Sequence, residues 1–119
     1  MITLPTLQEL LEAGAHFGHT EGRWHPHAAR YIHSTRSGVH IINLEKTKEG
    51  LVAAGKYLLD LSSSGGYVIF VGTKRQAKEI VREEVGRAKS QGGKGIFYVT
   101  SRWVGGTLTN FSEVAKNFK

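Results

Sequence analysis

The stretch "HFGHTEGRWHPHAARYIH", residues 16–33, holds five of the chain's six histidines, and His40 follows shortly after. Histidines at this density suit a metal site, acid–base work, phosphate contact, or turns in which imidazoles bond the backbone. Zinc takes three or four ligands in a tetrahedral array, usually with carboxylates supporting the imidazoles. His16 and His19 lie three apart, but the nearby acids are only Glu12 and Glu21, and no H-E-x-x-H occurs. Nucleophilic catalysis needs a serine or cysteine placed by one of these bases. The chain has no cysteine and no G-x-S-x-G elbow. A turn-rich segment whose histidines bond backbone or touch phosphate fits the pattern better. A metal pair at His16 and His19 stays open on spacing alone.

Two further features could meet an anion. "FVGTKRQ" runs from an apolar stretch through Gly72 into a helical pattern, with Lys74 and Arg75 at the junction. A helix start offers unpaired N–H groups and the positive end of the helix dipole. Beyond it Arg75, Lys78, Arg82 and Lys89 share one helical stripe, with Glu79 and Glu83 to one side. A nucleotide-binding enzyme is a poor match, because neither G-x-x-x-x-G-K-[ST] nor G-x-G-x-x-G is present. The other feature is arginine directly before tryptophan, at Arg23-Trp24 and Arg102-Trp103. Such pairs suit phosphate contact with base stacking, or a tryptophan that seals the core while its arginine faces water. For Trp103, which follows an apolar run, the sealing role is expected.

The charge balance points the same way as the basic stripe. Residues 1–60 carry six Lys/Arg and six Asp/Glu, while residues 61–119 carry ten against four, which accounts for the net +6. A basic half beside a histidine-rich neutral half suggests a polyanionic partner. No apolar run is long enough to cross a bilayer, and "MITLPTLQELLEAG" lacks the layout of a signal or transit peptide. The absence of cysteine suits a reducing compartment.

The elements that would position these residues can be read from periodicity. "TLQELLEAG" predicts a short helix with Thr6 as N-cap and Glu9 at the capping-box position. The histidine segment, broken by Gly18, Gly22 and Pro26, predicts loop or turns. "RYIHSTRSGVHIINL" predicts two strands about a turn at Ser37-Gly38. A helix is expected from about Glu45 to Ser62. "YVIFVGT" predicts a strand buried on both faces. The helix that follows has Thr73 and Gln76 at capping-box spacing and a core stripe of Ala77, Ile80, Val81, Val85 and Ala88. "IFYV" predicts another buried strand, giving a parallel βαβ unit. "FSEVAKNFK" begins one more amphipathic stretch.

The segments "LLEAGAHFGH", "RWHPHAARYIHSTRSGVHIINLEKT", "GGYVIFVGTKRQA" and "FYVTSRWVGGTLTNF" resemble, in order, the signature segments of the S-two family of small-subunit ribosomal proteins, bacterial or organellar type. The resemblance runs from Leu10 to Phe111. It implies a flavodoxin-like three-layer αβα domain with a parallel sheet, incomplete in this chain. Residues 1–119 would form part of that single α/β domain, and a helical hairpin would begin near 110–119. It further implies a structural constituent of the small ribosomal subunit, in a cytoplasmic or organellar ribosome, with no enzymatic activity. The partners implied are small-subunit rRNA and neighbouring ribosomal proteins, including the large mRNA-binding first protein of that subunit. A second polypeptide is a further candidate for completing the fold, and no membrane is involved.

On this reading the RNA contacts are Arg23, Trp24, His27, Arg30, Arg36, Lys74, Arg75, Lys78, Arg82 and Arg102. The chain departs from the family pattern at His25, where Asn is usual, at Asn43, where Asp is usual, and in a longer "KSQGGKG". No cofactor is expected, apart from a candidate zinc at His16 and His19, which match the family's "HFGH". Carboxylates from a later part of the fold would have to complete that site. An open strand edge and an incompletely covered core are expected as well. The competing readings are a nucleotide-binding α/β enzyme and a histidine metal-binding module.

Overall fold

The computed structural model describes residues 3–118, and its contacts divide the chain into two compact units that part between Asp60 and Leu61. In the first unit, α1 (Leu7–Glu12) starts as its sequence requires. The Thr6 hydroxyl accepts the Glu9 N–H at 3.2 Å, and the Glu9 carboxylate accepts the Thr6 N–H at 2.7 Å. Three short strands follow: β1 (Phe17–Thr20), β2 (Ile32–Arg36) and β3 (Val39–Ile42). They form an antiparallel sheet in the order β1-β3-β2. The β2–β3 connection is a two-residue turn with Ser37 at φ 50° and Gly38 at φ 72°. Two positive φ values in a two-residue hairpin define a type I′ turn, whose twist matches that of the strands it joins. It pairs Arg36 with Val39 and Thr35 with His40.

The histidine segment is more regular than its glycines and proline suggest. Phe17–Thr20 is a strand, and 3₁₀ turns at Glu21–Arg23 and Pro26–Tyr31 carry the chain to β2. The strand has no alternating pattern of its own; its place is set by pairing with β3, Phe17 opposite Ile41 and Thr20 opposite Val39. Asn43 then starts α2 (Leu44–Ser63), accepting the Glu45 N–H at 2.9 Å on its side-chain oxygen. Asparagine serves as an N-cap as well as aspartate does.

In the second unit, β4 (Val68–Val71) and β5 (Ile96–Val99) pair in parallel, joined in sequence by α3 (Lys78–Ser90). The parallel βαβ unit is therefore present, and among the described residues parallel pairing is confined to these two strands. The first unit's sheet is antiparallel, as the expected hairpin at Ser37-Gly38 requires, so the parallel sheet expected of the chain is only partly present. The capping box at Thr73 and Gln76 is also absent. Gly72 completes the ladder by donating to the Val99 carbonyl at 2.9 Å, and the chain then spends Lys74 to Ala77 on a turn. The helix starts at Lys78 behind Ala77, which makes no side-chain cap.

Val85 is the best-buried apolar residue of this unit, at 3% exposure. It lies with Val81, Ala88, Phe70 and Ile96 where α3 meets the strands. The expectation that both strands are buried on both faces does not hold. Side chains alternate across a strand, so Ile69, Val71 and Phe97 occupy the face opposite Phe70 and Ile96, and these three are 48–55% exposed. α4 (Phe111–Ala115) and a 3₁₀ turn at Lys116–Phe118 occupy the start of the expected helical hairpin. Val114 is buried there, and Lys119 lies outside the described residues.

Candidate nucleic-acid interface

His40 organises the first unit's polar surface. It stands on the central strand β3, 9% exposed, directly across from Thr35. Its Nδ1 shares a hydrogen bond of 3.1 Å with the Thr35 hydroxyl, and the Trp24 ring lies 5.0 Å away, tilted by 53°. Its Nε2 is buried and has no partner among the described residues. A buried polar atom left unpaired costs about 1–3 kcal/mol, so this nitrogen is a place where a bonding group from outside would be welcome. His40 and Trp24 help line a recess of about 310 Å³ with His19, Arg23 and His25.

Around this recess the other expected contacts spread out. The His27 N–H donates to His25 Nδ1 at 3.2 Å, and the two imidazoles meet edge to face at 4.9 Å. Arg30 is exposed, its guanidinium 4.8 Å from the centre of the Tyr31 ring. Arg36 ends β2 and lines a different recess, with His16, His33 and Ser34. His16 and His19 therefore face separate recesses. Among the described residues, no three His, Asp or Glu side chains gather closely enough to hold a metal ion.

In the second unit Lys74 and Arg75 are exposed on the turn between β4 and α3. The expected cradle of free N–H groups is only partly there. The Ala77 and Lys78 N–H groups both donate to the Lys74 carbonyl, at 3.0 and 3.1 Å. The turn thus presents cationic side chains more than backbone donors. On α3, Lys78 opens the helix and Arg82 is tied to Glu79 at 3.3 Å, both partners more than half exposed. Such a pair is worth little in water and yields readily to a phosphate. Arg87 pairs with Glu84, and Lys89 lies 5.4 Å from the Phe97 ring centre. Arg102 is exposed just beyond Thr100, and Trp103, 36% exposed, is not the buried seal expected of it.

One titratable group departs clearly from its ordinary value. The Glu9 carboxyl lies below 4.5, held down first by the Thr6 N–H and then by the Thr6 hydroxyl. It sits at the cap of α1 and serves structure. Sequence reading passed over His40 as the last histidine of a series. The signal was its place in "GVHIINL", one residue past the turn glycine and its following valine, where a strand's central position buries whatever it carries.

Comparison with known proteins adds an independent finding. The family described as Ribosomal protein S2 matches residues 10–119. The small ribosomal subunit protein uS2 of Chloroflexus aurantiacus is 49% identical over 114 residues, 96% of this chain and 45% of that protein. The protein of the same name from Thermus thermophilus is 50% identical over 111 residues, covering 93% of this chain and 41% of its own length. That of Chloroflexus aggregans is 48% identical over 114 residues. The chain spans less than half the length of these curated relatives.

Proposed function

The chain belongs to the Ribosomal protein S2 family, and on that footing we propose that it is a structural, non-enzymatic component of the small ribosomal subunit. It acts there by binding rRNA and neighbouring small-subunit proteins, in a bacterial cytoplasmic or organellar ribosome. The observation that carries this reading is the family match over residues 10–119. The distribution of charge supports it. Lys74 and Arg75 stand exposed on one turn, with Lys78 and Arg82 on the helix beyond, and Arg23, Arg30 and Arg36 are exposed in the other unit. Cations arranged this way track a phosphate backbone. Trp24, next to Arg23, and His27, against His25, add ring surface, and Arg102 is a further exposed cation.

The finer architecture belongs to the same proposal. Residues 1–119 form part of a flavodoxin-like three-layer αβα domain. The half-exposed apolar face of β4 and β5 is the surface that the remainder of that fold, from a longer chain or a second polypeptide, would cover. No cofactor is assigned. A zinc ion held by both His16 and His19 would need these two side chains, which line separate recesses here, to be brought together.

Sucrose-gradient sedimentation of native lysate, with this chain detected by mass spectrometry at low and high salt, tests the proposal. Co-migration with the small subunit is expected. Recovery only from the light fractions at both salts would refute it.

A further inference from the structure

The recess at Trp24 and His40 has features that a phosphate-tracking surface does not need. Its wall contains a buried imidazole with one nitrogen bonded to Thr35 and the other, Nε2, without a partner. Trp24, 37% exposed, lies 5.0 Å from that imidazole. Ile32 and Ile42 add apolar wall, while Arg23, His19 and His25 supply cationic or hydrogen-bonding groups, all three exposed. Among the described residues no carboxylate lines the recess; Glu21, in the 3₁₀ turn just before Arg23, is not among its walls.

We propose that this recess receives one unstacked nucleotide of a single-stranded RNA segment. The base lies against the indole of Trp24 and bonds His40 Nε2, and Arg23 with a neighbouring histidine takes its phosphate. This rests on the RNA-binding reading above and adds to it a site that distinguishes single strands from duplex.

The chemistry of the wall selects this ligand. An aromatic plane beside a ring nitrogen in need of a partner suits a flat heterocycle with hydrogen-bonding edges. Arginine with histidines, and no carboxylate, suits an anion attached to it. A nucleotide has both parts in one residue. Bases are free to leave the stack only in loops, bulges and ends, where RNA is read by stacking on aromatic and histidine rings. A duplex offers phosphates but no free base face, so it could use only Arg23 and the histidines beside it.

The test measures equilibrium binding of the full 119-residue chain to a labelled single-stranded oligouridylate and to an RNA duplex with the same number of phosphates. The unsubstituted chain, Trp24→Phe and Trp24→Leu are compared, each checked for fold by circular dichroism. Base–aromatic stacking of ordinary strength corresponds to about tenfold or more in affinity. The unsubstituted chain should therefore prefer the single strand by about that factor. Trp24→Phe should keep the preference. Trp24→Leu should lose it, weakening single-strand binding by about that factor more than it weakens duplex binding.

A second readout needs no substitution at the site: the oligomer should quench tryptophan emission in a Trp103→Phe chain, and the duplex should not. Equal affinity for the two RNAs, or a Trp24→Leu chain weakened equally for both, would overturn the inference while leaving the ribosomal reading intact. Displacement of the oligomer by free UMP at matched nucleotide concentration would also overturn it, reassigning the recess to a mononucleotide. Failure of the unsubstituted chain to bind either RNA would sink the RNA-binding reading itself.

Discussion

Replacing Gly72 with alanine tests whether the turn presenting Lys74 and Arg75 is held by the packing beneath it. An added methyl would fall 2.6 Å from Val81 Cγ2 and 3.2 Å from Val81 Cβ. Carbon atoms prefer separations of about 3.5–4.0 Å, so strand and helix must part by several tenths of an ångström or more. Neither is free to do so. The Gly72 N–H is bonded to Val99 at 2.9 Å, and the Val81 N–H is bonded to the Ala77 carbonyl at 2.9 Å. Forced overpacking of this kind costs about 1–3 kcal/mol. Val81→Ala alone removes methyls from a half-buried site and should cost about 1 kcal/mol. If the clash is the cause, the double variant is less destabilised than the sum of the singles by about 1 kcal/mol or more. Native-state amide hydrogen exchange along β4 and α3 reads these free energies without requiring a global transition. RNA affinity should follow the same cycle, weakened in Gly72→Ala and recovered in the double variant. Additive effects, or exchange unchanged in Gly72→Ala, would refute the argument that this contact sets the turn.

Three other outcomes are expected. First, the Glu9 carboxyl is lowered from 4.5 by its bonds to Thr6, so the contribution of the capping box is fully present above that value and is lost as pH falls through the lower, folded one. NMR titration of the Glu9 side chain and the Thr6 amide should show one common midpoint below 4.5, moved back upward by Thr6→Ala. Second, Lys74→Gln combined with Arg75→Gln should reduce the slope of log affinity against log salt by about 1.4–1.8, the share of two phosphate contacts. A slope that does not move would remove the turn from the interface. Third, the free chain should enhance the fluorescence of a hydrophobic dye through the open face of β4 and β5. Ile69→Thr with Phe97→Ser should lower that signal at a cost of about 1–3 kcal/mol, because each side chain is about half buried and gives up about half the burial energy of a large apolar residue.

How far the sequence could be read depended on how local each determinant is. The α1 cap was legible because Thr6 and Glu9 satisfy each other within one turn, and the hairpin because Ser37-Gly38 allows two positive φ values. "YVIFV" and "IFYV" were legible as strands, and their parallel pairing followed from the helix between them. Their exposure was not legible in the periodicity, which read them as buried on both faces; only the family resemblance implied an incompletely covered core. A continuous apolar run reports what a strand is built to bury, whereas actual burial depends on which elements are there to cover it. The same limit applied at Thr73 and Gln76. Their spacing is that of a cap, but the strand's last hydrogen bond, at Gly72, and the packing of Val81 on that glycine decide where the helix can begin.

The histidines show the same division more sharply. Six imidazoles within residues 16–40 are chemically interchangeable on paper, and spacing offered only the pair His16 and His19. In the fold these two line different recesses, because strand pairing and the turns around β1 send neighbouring residues to different surroundings. His40, outside the cluster, becomes the buried one because a two-residue turn sets it opposite Thr35 on the central strand. A slip of one residue in that pairing would carry it to the other face. What distinguishes this imidazole is thus fixed by register rather than residue type: one nitrogen is bonded across the strand pair to Thr35, and the other lies buried beside Trp24 without a partner among the described residues, as His16 Nδ1 also does on its own side. The chemistry available to the segment follows from the geometry of the hairpin that precedes α2.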